Sequence, residues 1–395
     1  MNVIVISPFC PKDRKSVEFS ALATYTKKLL QLLPSENIYK VLSQNSINSY
    51  SYKNVEVLPT WSRNNVFFVF QIIKQAFSVK SKAVFLEHEV YAFGKNQYVF
   101  PYLTILLILL LKIIGKKVVV SVHGVVPLKM LNSNFIKDSG VVNLSFLIKL
   151  GMFVMYYFTC LFASQVLVHN KKLKEYLVKD YMVSSKKIHV IPHPLYNFSK
   201  PQKISKQFKK LTKGYKYIFL YFGFLSMYKS LNILIDGFKL AKLNKKPTCL
   251  LIAGGVPKRL RNEGKYLKYI KKYKDSTKNF DIFWDTRFIK DSELKTYFTK
   301  SSCLIIPYKY LVSASGPLTL AVNSALPVLA SSAFKGIIAK DLIFGKTSTE
   351  LARAVEKYVN DRAFRDKVTK SVIYQKQLWS DEHIKLSYQK LFDSL

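Results

Sequence analysis

Short runs of β-branched and aliphatic residues recur down the chain, each ending abruptly in a polar residue or glycine and most followed by a segment of helical periodicity. This recurrence is what most restricts the fold. A strand that reads as a nearly continuous apolar run is buried on both faces, which happens when helices cover both sides of a parallel sheet. The first half offers "NVIVIS", "AVFLEH", "KVVVSVH", "QVLVHN" and "IHVIPH"; the second offers "YIFLYFG", "TCLLIAGG", "FDIFWD", "CLIIPY" and "LPVLAS". Helical patterns lie between them at "LNILIDGF", "RNEGKYLKYIKKYK", "DSELKTYFTKS" and from Pro317. Between the two sets lies a polar, lysine- and serine-rich stretch, residues 197–216, that reads as a linker. The expectation is an α/β chain of two doubly wound, Rossmann-like domains, residues 1–197 and 215–375. An amphipathic terminal helix within residues 376–395 follows.

Ligands of doubly wound sheets bind at the carboxyl ends of the strands. Two such domains place their sites in the cleft where those ends face each other. The residues directly after the strands therefore become candidates: Ser7, His88, Glu89, His123, Gly124, Asn170 and His193 in the first half, and Gly223, Gly254, Gly255 and Tyr308 in the second.

Composition narrows the partners. The chain has 62 Lys plus Arg against 24 Asp plus Glu, a formal net charge of +38, and only eight of the basic residues are arginines. Lysine is a hydrated point charge that suits phosphate surfaces better than bidentate reading of bases. An anionic membrane face or phosphorylated ligands are favoured over specific nucleic-acid binding, for which the chain has no recognisable module; the charges are otherwise merely solvated. Cys10, Cys160, Cys249 and Cys303 lie far apart, with neither disulfide nor zinc spacing, which fits a reducing cytoplasm. The N-terminus "MNVIVISPFCP" lacks the basic and small-residue flanks of a signal peptide and reads as a first strand. Two apolar stretches stand out. The run from Tyr102 to Leu111 is about half of the roughly 20 residues a spanning helix needs. The stretch from Leu150 to Asn170 divides into a helix ending near Ala163 and a separate strand "QVLVH". Both helices, if partly exposed, suit a membrane interface beside lysines.

Seven stretches, taken in order, carry a resemblance. They are "FLEHEVYAFG", "VVVSVHGVVP", "SQVLVHN", "IHVIPHPLY", "YFGFLSMYKSLNILIDGF", "DSELKTYFTKSSCLIIPY" and "ASGPLTLAVNSALPVLAS", closed by "LWSDEHIKLSYQKL". Together they resemble glycosyltransferases of the GT-B fold, of the family 4 type that retains the anomeric configuration of a nucleotide-sugar donor. The resemblance implies a hexosyl transfer to a glycan acceptor, lipid-linked or a cell-surface polysaccharide precursor. It also implies that neither a metal nor an organic cofactor is needed; the lysine charge and the apolar helices of the first half point to a location on the cytoplasmic face of a membrane.

The same resemblance distributes roles along the chain. Gly223, Ser226 and Lys229 match the loop that meets the donor diphosphate, with Ser226 standing where relatives carry an arginine. Ser313, Ser315, Gly316 and Thr319 match the second phosphate and sugar site. Val312 and Leu320 occupy places that hold two glutamates in many relatives. Arg287, Phe288 and Ile289 match the turn beside the nucleobase. His123 matches the histidine near the donor sugar and acceptor hydroxyl, and Gly124, Glu89, Arg14 and Ser16 fall on the acceptor side. The departures at Ser226, Val312 and Leu320 keep a second reading open, that of a degenerate relative acting as a binding or scaffolding subunit of a glycan-assembly complex.

Overall fold

The structure, a computed structural model, describes residues 2–12, 21–131, 145–195, 198, 204–243, 246–255 and 264–395. Arg14 and Ser16 lie outside the described residues. The chain divides into two compact units: Met1–Pro194 with Val312–Ala314 and Asp381–Leu395, and Leu195–Leu311 with Ser315–Ser380.

The first unit is built on eight strands: β1 (Asn2–Ile6), β2 (Ile38–Gln44), β3 (Tyr50–Tyr52), β4 (Val55–Trp61), β5 (Ala83–His88), β6 (Lys117–Val122), β7 (Gln165–Val168) and β8 (Ile188–Val190). Their order is β3-β4-β2-β1-β5-β6-β7-β8, parallel throughout except for the antiparallel β3–β4 pair at one edge. The period-2 alternation of side chains sends Ile4, Ile6, Val84, Leu86, Val118 and Val120 into one core and Val3, Val5, Phe85 and Val119 into another. Both faces are therefore covered, as the apolar runs predict. Helices Phe68–Ser78, Phe100–Ile113, Ser145–Phe162 and Lys171–Tyr181 line the first core. Helices Ala21–Leu30 and Asp381–Asp393 line the second, where Ile384, Tyr388 and Leu391 are buried.

Three strands escape the sequence reading. In β3 and β4 exposed or half-exposed residues alternate along the strand and Pro59 interrupts β4, while β2 mixes Lys40, Ser43 and Gln44 into its apolar residues. They sit toward the sheet edge, where one face or end meets solvent and the continuous apolar signature fades.

The second unit holds six parallel strands: β9 (Tyr217–Phe222), β10 (Thr248–Ala253), β11 (Ile282–Asp285), β12 (Cys303–Ile306), β13 (Val328–Ser331) and β14 (Ile343–Gly345), in the order β11-β10-β9-β12-β13-β14. One continuous core packs around them. Part of the stretch that reads as a linker is helical: Lys206–Thr212 forms a short helix whose N-cap Ser205 accepts from Phe208 N and donates to Glu293 Oε1 at 2.7 Å. Buried Phe208 anchors it. Two apolar residues, Phe208 and Leu211, in a lysine-rich run are too weak a periodic signal to betray that helix.

Among the described residues no helix is long and apolar enough to cross a membrane. The long apolar stretch resolves, as expected, into a helix ending at Phe162 and the strand β7.

Candidate active site

In the second unit, β9 ends at Phe222 and the chain turns through Gly223, whose φ of +120° is a conformation that side chains resist. The turn also passes close to its neighbour: a Cβ at Gly254, the residue after β10, would lie 2.2 Å from the carbonyl oxygen of Gly223. The strand ends thus pack backbone to backbone. The chain then forms a single turn, Met227–Lys229, before helix Leu231–Leu240.

Lys229 is only 7% exposed, and among the described residues no other lysine is buried. No carboxylate of a described residue lies within ion-pair distance of it. Its ammonium sits over the ring of Tyr308 at 5.1 Å, a cation–π contact. Burial holds its pKa below the ordinary value, partly offset by Tyr228. A buried, unpaired charge is costly, and a fold keeps one chiefly where an opposite charge arrives from outside.

The opposite wall supplies a second set of anion-binding groups. Helix Gly316–Asn323 begins beside the same turn, since the Cβ position at Gly223 is 3.2 Å from Lys229 Nζ and 3.3 Å from Pro317 Cγ. Ser315 caps that helix by accepting from Leu318 N at 3.4 Å. Thr319 is buried and donates back to the Ser315 carbonyl at 3.1 Å. Nothing stands in front of Gly316: a Cβ there would meet no heavy atom within 4 Å. Backbone N–H groups at a helix start, open space before a glycine and a buried ammonium are groups able to bind a phosphate. The side chain of half-buried Ser226 donates to the carbonyl of Phe224 at 3.5 Å.

Other residues expected here are differently disposed. Arg287 forms a bidentate pair with Asp285, with two bonds of 2.9 Å, and reaches Glu293 at 3.5 Å. Phe288 is exposed, whereas Ile289 belongs to the core. Ser313 lies with the first unit, paired in an isolated antiparallel bridge with Gly124.

In the first unit, four of the chain's six histidines gather at the carboxyl ends of the strands. His88 closes β5, His123 follows β6, His169 follows β7 and His193 lies beyond β8. His123 Nε2 is 2.7 Å from Glu87 Oε2, and Glu87 is fully buried. The Tyr25 ring meets His123, His169 and His193 at centroid distances of 4.5, 5.0 and 4.7 Å. Its hydroxyl is 2.8 Å from that of Tyr388 on the terminal helix. Burial first, and repulsion from His123 second, lower His88 to about 4 and His193 to about 3; the same causes hold His169 well below its ordinary value. His169 carries its proton on Nδ1, which donates to the Ile191 carbonyl.

Three buried atoms of this cluster, Glu87 Oε1, His88 Nε2 and His169 Nε2, have no hydrogen-bond partner among the described residues. Buried polar atoms are nearly always satisfied, so these mark places for hydroxyl-bearing ligand or water. No metal-binding group of His, Cys, Asp or Glu occurs among the described residues. Glu87 is the acid that sequence reading passed over in favour of Glu89, which is exposed. The signal was available in the pleat: Glu87 shares a face of β5 with the buried Phe85, two residues before it.

The comparisons with known proteins follow this geometry. Residues 202–373 match the family described as Glycosyl transferases group 1. Among curated proteins none matches the sequence significantly. Among solved structures, the chain is similar to Anabaena HepE in complex with UDP and glucose, with a TM-score of 0.68, 12% identity and all of both chains covered. It is similar to a sucrose-phosphate synthase from Thermosynechococcus elongatus, with a TM-score of 0.68 and 13% identity over 100% of this chain and 98% of the other. It is also similar to WaaG, a glycosyltransferase involved in lipopolysaccharide biosynthesis, with a TM-score of 0.57 and 14% identity over 95% of each chain. The chain has the GT-B fold, and within it residues 202–373 carry the match to the group 1 glycosyltransferases.

Proposed function

We infer that this glycosyltransferase moves a hexose from a nucleoside-diphosphate sugar to a glycan acceptor with retention of configuration. The observation that carries the reading is the buried ammonium of Lys229, unpaired beside the open start of helix Gly316–Asn323. A diphosphate supplies the missing negative charge. As the bond between the sugar's anomeric carbon and the diphosphate oxygen breaks, charge develops on that oxygen, and a preorganised ammonium and N–H groups stabilise it. The acceptor hydroxyl forms the new bond on the same face and its proton passes to the departing phosphate, so no carboxylate nucleophile is needed. One lysine together with a helix terminus does the work for which relatives add an arginine at the position of Ser226.

His123, held by Glu87, orients a hydroxyl at the sugar or acceptor. With side chains at Val312 and Leu320 that cannot accept hydrogen bonds, Ser315 and Thr319 take over sugar contacts. The acceptor is a glycan carried on a polyprenyl phosphate, and the enzyme works at the cytoplasmic face of a membrane; the net charge of +38 and the likeness to WaaG support this.

The test is thermal shift with UDP, GDP and their common sugar conjugates, with Lys229→Ala in parallel. UDP is the first choice because HepE binds it. Stabilisation by one nucleotide, lost in the variant, supports the donor site. No stabilisation by any nucleotide would favour the degenerate, scaffolding alternative.

A further inference from the structure

Helices Phe68–Ser78, Phe100–Ile113 and Ser145–Phe162 lie side by side over one face of the first unit's sheet, the middle one packing against both others. Their inner sides enter the same core, through Ile72 and Ala76, Leu107 and Leu111, and Met155 and Cys160. Their outer sides are apolar and exposed. Phe70 and Phe77 form a stripe at helical spacing on the first helix, Leu106 and Ile113 on the second, and Phe146 and Leu150 on the third; Phe77 is 75% exposed, Ile113 69% and Phe146 74%. Six large apolar side chains on three adjacent helices exceed the scattered exposure normal for a protein surface.

Charge indicates what covers them. The three helices contain no Asp or Glu, while Lys74, Lys112 and Lys149 are exposed among the apolar residues. At the carboxyl ends of the outer two, Lys116 donates to the carbonyls of Val79 and Ser81, and Lys187 to those of Leu161 and Ala163. A second copy of the chain would bring lysine against lysine. An anionic bilayer accepts both components, taking aromatic and aliphatic side chains at the acyl boundary and lysines at the headgroups. We propose that the outer face of these three helices is the surface by which the enzyme docks on an anionic lipid bilayer. This rests on the reading of a lipid-linked acceptor and identifies the part of the chain that meets the lipid.

The experiment is cosedimentation of the full chain with phosphatidylcholine vesicles, with and without phosphatidylglycerol, at low and high salt. It is repeated for Phe70→Ser/Phe77→Ser and for Lys74→Gln/Lys149→Gln, with nucleotide-dependent thermal shift measured on every sample. All four substituted positions are exposed, so both variants fold. The wild type is expected to pellet with phosphatidylglycerol vesicles at low salt. Partitioning should fall about tenfold or more in the apolar variant and several-fold in the lysine variant. A wild type that ignores phosphatidylglycerol vesicles, or variants that pellet like it, overturns the proposal. So does self-association in sedimentation velocity that Phe70→Ser/Phe77→Ser abolishes. Because the thermal shift reports the donor site alone, its persistence without vesicle binding would overturn the docking surface and leave the transferase reading intact. Its absence in the wild type would overturn the donor reading whatever the vesicles show.

Discussion

Lys229 shows how a single residue ties stability to ligand. An ammonium without a counter-charge is held in the fold against its desolvation cost, so Lys229→Met should raise the stability of the free protein, on the order of 1–2 kcal/mol. It should at the same time abolish stabilisation by nucleotide and lower kcat/KM about 100-fold; thermal unfolding with and without nucleotide, and steady-state kinetics, check both halves. The pH dependence follows in sign. Because the folded pKa lies below the ordinary 10.5, the unfolded chain binds more protons between the two values and stability rises with pH across that window. The histidines act in the same sense at lower pH. Unfolded histidine takes up protons from about 6.5 downward, whereas folded His88 does so only near 4 and His193 near 3. Each therefore removes up to about 1.4 kcal/mol of stability per pH unit as the pH falls from 6.5. Melting temperatures measured from pH 7.5 to 5 should drop steeply, and less steeply in His88→Asn. Glu87→Gln should lower kcat about 100-fold with little change in donor affinity, because it removes the group that orients His123 without touching the diphosphate site. Lys229 was visible in the sequence as a lysine at a strand–turn–helix junction, but its burial was not. Glu87 was missed because Glu89 has the same strand parity, and only the end of β5 at His88 separates the buried acid from the exposed one.

Elements place these residues, and their ends carry the site. The close approach of Gly254 to the Gly223 carbonyl leaves no room for a methyl group, so Gly254→Ala should destabilise by about 3 kcal/mol or more and weaken nucleotide binding together with it. The terminal helix Asp381–Asp393 is a structural part of the first unit: Tyr388 meets the Tyr25 hydroxyl and Asp381 pairs with Lys28 at 2.7 Å. Tyr388→Phe removes the hydroxyl partner that Tyr25 meets at 2.8 Å, and chemical denaturation should show a loss of about 1–3 kcal/mol. Helices with strong caps or clear periodicity were legible, as at Leu231–Leu240 and Gly316–Asn323. The strands β2 to β4 and the short helix Lys206–Thr212 were not, since none carries the continuous apolar run or the extended helical period by which the other elements are read.

At the scale of the whole molecule, a net charge of +38 makes the compact state repel itself. Raising ionic strength from about 0.02 to 0.3 M should therefore increase the melting temperature of the free protein, as the Debye length shortens, while weakening nucleotide and vesicle binding. The amino-acid sequence by itself determined the class of fold, because apolar runs separated by helical periods are stable only as buried parallel strands with helices on both faces. It also located the turn after β9 and the helix start at Ser315, because turn and cap chemistry are local. Only the tertiary structure decided that Lys229 is buried without a counter-charge, that Glu87 and four histidines share one cluster, and that three apolar helices present a common outer face. Each of these depends on residues far apart in the chain arriving at one place, and burial, unlike periodicity, is not a local property.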